Sequence, residues 1–168
     1  RTPNSTNSSG DTTSQPWFYW RSDGSIEHIV VEDGITSLGN YFFYGVSCTD
    51  IKLADSIESV GGYAFSGAQI EHIKLPDKLK YINNDAFYFC DNLKEIVFPK
   101  SISSIGTSAF ENCSVLSKVN FKAMGNELTI SSRAFFKCPL LKRVDVPSLA
   151  KLSKYSFGYE KASVDGTY

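Results

Sequence analysis

The chain lacks most of the features by which enzymes and metal proteins are recognised from sequence. It has only two histidines and four cysteines, and no two cysteines form a C-x-x-C pair. It contains no G-x-S-x-G, H-E-x-x-H, P-loop or dinucleotide-binding motif. No apolar run approaches the roughly 20 residues that a membrane-spanning helix needs. We therefore predict a protein that is not an enzyme, needs no cofactor or metal, and has no membrane span in this sequence.

An excess of charge of either sign is also missing. The chain has 17 Lys and Arg against 18 Asp and Glu, for a net charge of -1. Without a basic excess there is no general electrostatic attraction to nucleic acid, so we expect no nucleic-acid partner. A length of 168 residues suits one domain with one continuous core.

Large apolar side chains are absent from residues 1–16, ten of which are Ser, Thr or Asn. Such a segment cannot bury enough apolar surface to fold, so we predict a flexible tether. Asn4 and Asn7 fit the N-glycosylation pattern, as does Asn112 further along the chain, but the pattern arises readily by chance in Ser/Thr/Asn-rich sequence. Four aromatic residues follow at 17–20, and we predict that residues 17–25 cap the first unit of a repeat array. The chain begins at Arg1 without a leader, so we expect a processed protein whose targeting signal is absent.

What the sequence does have is a repeat that covers residues 26–168. Its period lies between 22 and 25 residues, which is typical of a solenoid. Each unit carries three apolar anchors, and the last two are two residues apart, as in a strand with one buried face. We predict that successive units pair as one parallel sheet. The six anchor triplets are Ile26-Ile29-Val31, Cys48-Ile51-Leu53, Ile70-Ile73-Leu75, Leu93-Ile96-Phe98, Leu116-Val119-Phe121 and Leu141-Val144-Val146.

Two further segments complete each unit. A second apolar pair, such as Leu79 and Ile82, predicts a short extended segment on the opposite wall. A small residue then precedes a phenylalanine, and we predict one helical turn there, with the rings stacked as a spine. The fifth unit is longer, which predicts a surface loop at residues 122–127. The spine residues are Phe43, Phe65, Phe87, Phe110, Phe135 and Phe157.

The pattern L-x-x-I-x-φ-P-x-x-φ-x-x-I-G-x-x-A-F-x-x-C resembles the BspA-like, Treponema pallidum-type leucine-rich repeat. The resemblance extends from about residue 26 to 157. It implies a right-handed α/β leucine-rich-repeat solenoid, rich in β-structure, with about six repeats of 22–25 residues and a parallel sheet on one wall. It also implies a secreted or cell-surface bacterial protein that binds other proteins, with adhesion to host matrix or cells as the expected role.

The cysteines occupy positions that accept small apolar residues. Cys90, Cys113 and Cys138 each follow a spine phenylalanine by three residues, and Cys48 replaces an anchor leucine. Free cysteine behaves as a small buried hydrophobe, so we expect buried thiols. A disulfide between neighbouring units is the alternative that the spacing leaves open.

The outward positions of the anchor strands are the candidate binding residues, because they are free of any role in the core. One column runs from acidic and imidazole groups to cations, which favours a partner with graded charge. The same column also fits a solvated ladder of opposite charges, or an ion held by His28, Asp50 and His72. The predicted face comprises His28, Val30, Asp50, Lys52, His72, Lys74, Glu95, Val97, Lys118, Asn120, Arg143 and Asp145.

Tyrosines near the spine suggest an alternative function. Tyr41 and Tyr63 share one column, and Tyr44 and Tyr88 share another. If these rings face solvent they could bind glycans; otherwise they pack between units. A structural spacer is a third reading. The last unit has no obvious polar cap, so we expect a monomer or a weak end-to-end dimer.

Overall fold

The computed structural model describes residues 26–122 and 126–158. The predicted tether, the predicted cap and the centre of the predicted loop lie outside this range. The chain winds through about six rungs, and each rung contributes one segment to each of three walls. We call these the anchor wall, the sheet wall and the turn wall, in the order in which the chain meets them. No helix in the described part of the chain is long and apolar enough to cross a membrane.

The anchor wall carries the anchor triplets, and its pairing is discontinuous. Strand β1 (His28–Val30) pairs in parallel with β3 (Asp50–Lys52), and β6 (Glu95–Phe98) pairs with β8 (Lys118–Phe121). The corresponding segments of rungs 3 and 6 form no strand. The prediction of one continuous sheet here is therefore wrong, although the anchors of β3 and β6 are buried in the predicted alternation.

The continuous sheet lies instead on the sheet wall, where the sequence predicted only short extended segments. Six short strands pair side by side and in parallel, one from each rung. Ser59 aligns with Ser37 and with Tyr81, so every rung keeps the same register. The six strands of this sheet are, in chain order, β2 (Ser37–Leu38), β4 (Ser59–Val60), β5 (Tyr81–Ile82), β7 (Ser104–Ile105), β9 (Leu128–Ile130) and β10 (Ala150–Leu152).

The turn wall contains hydrogen-bonded turns, and the described residues include no helix, so the predicted helical turns and the α part of the fold class are not observed. The residue two before each spine phenylalanine has a positive φ of 53–61°. A left-handed residue interrupts a right-handed helix. It also turns alternate N–H groups towards the next rung: Phe43, Phe65 and Phe87 donate to carbonyls one rung further on, at 2.6–2.7 Å. The positive-φ residues are Tyr41, Tyr63, Asp85, Ser108, Arg133 and Tyr155.

The predicted phenylalanine spine is confirmed and runs through the core behind the turn wall. Phe65, Phe87 and Phe110 are fully buried, and their rings stack at 4.8 Å with interplanar angles of 5–7°. Phe135 and Phe157 continue the stack at 5.0 Å. Removing one ring would leave a cavity between two neighbours that are held in place by backbone hydrogen bonds. The spine therefore packs neighbouring rungs against each other at ring spacings of 4.8–5.3 Å.

Candidate binding surface

The anchor wall presents the twelve predicted residues on its outer surface. Eleven are exposed, and Glu95 is half-buried. The register aligns His28 with Asp50, Glu95 with Lys118, and Val97 with Asn120, as the sequence columns predict. Two large apolar side chains stand among them: Val30 is 62% exposed and Val97 is 40% exposed. The face thus combines charged groups with isolated apolar ones.

The charges of this face are largely paired within it. His28 Nδ1 lies 2.8 Å from Asp50 Oδ2, Lys118 Nζ lies 3.6 Å from Glu95 Oε2, and an Arg143 nitrogen lies 2.9 Å from an Asp145 oxygen. The side chains of these groups are 44–82% exposed, so each pair contributes little to stability. Of these three pairs, only the Lys118–Glu95 pair joins opposite charges of two rungs, because Arg143 and Asp145 belong to one rung and the His28 ring is charged only when protonated. His72 does not join His28 and Asp50 in a metal-binding group, and the described residues contain no such group of three.

A groove opens on this face at rung 3, where strand pairing is interrupted. Its volume is about 370 Å³. The buried Ile73 and Leu75 form the floor, and Val97 stands at one side. Lys122 reaches over rung 4 to Asp77, with Nζ 2.7 Å from Oδ1, and closes one edge. Sequence reasoning located the residues of this groove but not the groove, because its shape depends on which rungs pair.

The tyrosines of the turn wall mostly contact one another and their neighbours. The rings of Tyr41 and Tyr63 stack at 5.0 Å with an interplanar angle of 3°, and Tyr44 meets Tyr41 edge to face at 5.7 Å. The stack covers one face of each ring that a sugar would otherwise contact. Burial, and then the charge and hydrogen bond of Asp85, raise the pKa of Tyr63. These contacts fit the reading in which the rings pack between rungs.

Sequence reasoning missed a buried ion pair on the turn wall. Glu111 is 4% exposed and receives hydrogen bonds from Arg133 at 2.6 and 3.0 Å and from Ser108 at 2.6 Å. Burial alone would raise the pKa of Glu111, but these hydrogen bonds and the Arg133 charge hold it below its ordinary value. The guanidinium also lies 4.2 Å from the ring centroid of Phe136. The available signal was that Glu111 directly follows one spine phenylalanine while Arg133 lies two residues before the next.

The four cysteines are buried, as expected. The thiols of Cys90, Cys113 and Cys138 each donate to the carbonyl of the spine phenylalanine in the preceding rung, at 3.1–3.2 Å. Burial raises the pKa of the Cys90 thiol. A protonated thiol that is hidden from solvent is a poor nucleophile and a poor metal ligand. The cysteine column therefore belongs to the core.

Comparison with known families agrees with this architecture. The family model described as "BspA type Leucine rich repeat region" matches residues 14–128 in six copies. The chain belongs to the BspA-type leucine-rich-repeat family. Members of this family are recognised by the repeat that forms the three walls, so family membership accounts for the core residues and leaves the outward residues unassigned.

Solved structures include several relatives of this BspA-type chain. The leucine-rich repeat protein of T. pallidum is 25% identical over 77% of this chain and 74% of its own, with a TM-score of 0.57. The pneumococcal vaccine antigen PcpA is 26% identical over 69% of this chain and 24% of its own, with a TM-score of 0.42. A leucine-rich cell surface protein from Faecalibacterium prausnitzii A2-165 is 17% identical over 83% of this chain and 52% of its own, with a TM-score of 0.43. No curated protein matches the chain.

Proposed function

We propose that this chain is a noncatalytic protein-binding module of a bacterial cell-surface protein. In this proposal it adheres to host matrix or host-cell proteins through the anchor wall. The observation that carries it is the alternation along anchor strands such as β3 and β6: alternate residues fill the core, and the residues between them face outward without a role in the core. Membership of a leucine-rich-repeat family supports a protein partner.

Other parts of the chain take supporting roles in this proposal. Residues 1–16 tether the module, and residues 17–25 cap its first rung. The solenoid is a right-handed leucine-rich-repeat superhelix that acts outside the cell, as a monomer or a weak end-to-end dimer. A relative described as a leucine-rich cell surface protein supports the location.

A pair of matched variants tests the binding face. Val97→Asp places a charge at an outward position of the anchor wall, and Tyr81→Asp does the same at an outward position of the sheet wall, where the ring is 49% exposed. Binding of the wild type to immobilised extracellular-matrix proteins and to a glycan array is measured by surface plasmon resonance. We expect binding to a matrix protein, weakened about tenfold by Val97→Asp and unchanged by Tyr81→Asp.

Three results would contradict the proposal. Weakening by Tyr81→Asp alone would move the site to the sheet wall. Binding to glycans alone would favour the tyrosines of the turn wall, with Tyr41→Ala and Tyr63→Ala as the follow-up variants. Binding to nothing on either array would favour a structural spacer. Thermal unfolding of both variants must match the wild type within a few degrees, so that lost binding reports on the surface rather than on the fold.

A further inference from the structure

The last described rung leaves its apolar core open at the end of the array. Leu152 belongs to a column of sheet-wall side chains that point into the core, and the other members, from Leu38 to Ile130, are 0–1% exposed. Leu152 itself is 54% exposed. Leu149 is 52% exposed, although Leu79 at the matching position of rung 3 is fully buried. An apolar surface of this kind is an expected contact site for another protein surface.

The anchor wall and the spine are open at the same end. Val144 and Val146 are half-buried, whereas the matching side chains of rung 4 are 0–1% exposed. A space of about 350 Å³ lies against Val144, Val146 and Phe157. The first described rung is less open, because Leu38 is fully buried and Val31 is 7% exposed. The apolar opening therefore belongs to the C-terminal end of the described array.

Strand β10 is also open along its outer edge. It pairs with β9 on one side, and the described part of the chain places no strand on the other side. The backbone groups on such an edge pair readily with a second strand. Two β10 strands related by a two-fold axis would pair in antiparallel orientation. Their contact would join two sheet walls into one sheet and bring Leu149 and Leu152 of both copies together.

Residues 159–168 do not continue the repeat in sequence. In the preceding rungs, the next middle anchor follows each spine phenylalanine by eight or nine residues. After Phe157 these positions hold Asp165 and Gly166, and neither has an apolar side chain that could cover the core as a further rung does. A second copy of the chain brings an apolar end and an edge strand of the same dimensions, so it is the matching partner.

Charge at this end does not prevent two copies from meeting. Lys151 is paired with Glu127 at 2.7 Å, and Arg143 is paired with Asp145 at 2.9 Å. The other lysines of this rung are exposed, so water and salt screen their repulsion across the contact. The apolar side chains therefore decide whether the two ends associate.

We propose that two copies of this chain associate through rung 6, with β10 of one copy against β10 of the other. An interface that uses the same patch on both copies closes after two, so it gives a dimer and not a filament. A two-fold axis normal to the joined sheet places both anchor walls on the side away from that sheet, where two binding surfaces can act together. This inference rests on the end-to-end dimer named in the proposed function and assigns it to one end.

The mass of the full chain as a function of its concentration is the direct test. Analytical ultracentrifugation compares the wild type with Leu152→Asp and with Tyr81→Asp, which places the same charge on the same wall in an internal rung. The contact is smaller than a standard interface, so we expect a dimer with a Kd on the order of 100 µM. Leu152→Asp should weaken it at least about tenfold, and Tyr81→Asp should leave it unchanged.

A second variant and a second measurement keep the test independent of folding. Leu149→Asp changes another exposed side chain of the same end and should weaken the dimer in the same way. Thermal unfolding at low concentration shows whether each variant is folded. Hydrogen exchange followed by mass spectrometry locates the contact: the amides of β10 should gain protection at high concentration, and those of β2, at the other edge of the sheet, should not.

Each other outcome counts against the assignment. A monomer at every concentration, assemblies larger than a dimer, or equal effects of Leu152→Asp and Tyr81→Asp would overturn it. Protection of β10 at every concentration in a monomer would show that residues 159–168 cover the end instead. The proposed function is judged separately. If a monomer binds a matrix protein, the dimer falls and the function stands; if the dimer forms and binds no matrix protein, the function falls and the dimer stands.

Discussion

Glu111 shows how much of the turn wall depends on single residues. Its carboxylate sits beneath the surface, and both oxygens are bonded: Oε1 to Arg133, Oε2 to Arg133 and to Ser108. Arg133 itself occupies a left-handed position with a φ of 60°. The two-point contact between a guanidinium and a carboxylate is directional, so it holds the strained backbone of rung 5 in register with rung 4.

Glu111→Gln should lower the free energy of unfolding at pH 7 by about 1–3 kcal/mol, because it removes charge-assisted hydrogen bonds from a buried site. The pKa of Glu111 is lowered in the folded protein. The stabilisation from this carboxylate is therefore complete above its unfolded pKa, about 4.3, and is lost as the pH falls through the lower folded value. The difference between wild type and variant should shrink at acidic pH.

Urea unfolding of both proteins between pH 3 and pH 8 measures that difference. A matched control is Glu58→Gln, since Glu58 also bonds to a cation one rung away, at 2.8 Å from Lys80, but does so at the exposed surface. The control should cost clearly less than Glu111→Gln, because water and salt screen an exposed ion pair. An equal loss in the two variants would show that burial of Glu111 adds nothing to the pair.

Two neighbouring rungs approach each other closely at the corner where the sheet wall meets the turn wall. A Cβ atom on Gly61 would lie 2.5 Å from the backbone carbon of Gly39, and one on Gly106 would lie 2.6 Å from that of Asn83. Neither distance is compatible with a side chain unless the backbone moves. Glycine is therefore required here by the spacing of the rungs, which the hydrogen-bonded ladder of the sheet wall sets.

Gly61→Ala should lower the free energy of unfolding by about 2 kcal/mol or more, because two backbone segments must separate. Gly62→Ala is the matched control: its Cβ would lie 3.3 Å from the nearest atom, a carbonyl oxygen of Asn84, which needs only a small adjustment. Thermal unfolding followed by circular dichroism compares the two. If both variants unfold at the same temperature, the corner between the walls is more compliant than the structure indicates.

At the scale of the whole molecule, each rung contacts mainly its neighbours. Stability in such an array is close to a sum of nearest-neighbour terms, and its ends open more readily than its centre. The reactivity of the four thiols can measure this local opening, because all four are buried and they lie in different rungs along the array. Cys48 lies near one end of the described rungs and Cys138 near the other, with Cys90 and Cys113 between them.

We expect Cys48 and Cys138 to react with a thiol reagent before Cys90 and Cys113 in the native protein. Burial must be relieved locally before any thiol can react, and the terminal rungs lose fewer contacts on opening. Mass spectrometry after timed labelling and digestion identifies the order. Modification of all four cysteines at a single rate would show instead that the solenoid opens as one cooperative unit.

The repeat itself was readable from the sequence because each wall has its own local signature. The anchors at strand spacing, the second apolar pair and the small residue before Phe65 or Phe87 all repeat with the rung. Burial follows from that alternation, so the core, the spine and the identity of the outward residues were predictable. Which residues are buried and which face outward depends on the type of each side chain, and the sequence gives that directly.

Pairing between rungs was decided by the tertiary structure. The anchors of rung 3 match those of rung 4, yet residues 72–75 remain unpaired while β6 pairs with β8. The positive φ of Tyr63 and Asp85 replaced the predicted helical turns with a ladder between rungs. Backbone hydrogen bonds depend on the rise and twist that all rungs share, which no single repeat encodes. The sequence by itself determined which residues face outward, and only the packed solenoid decided where they surround a groove.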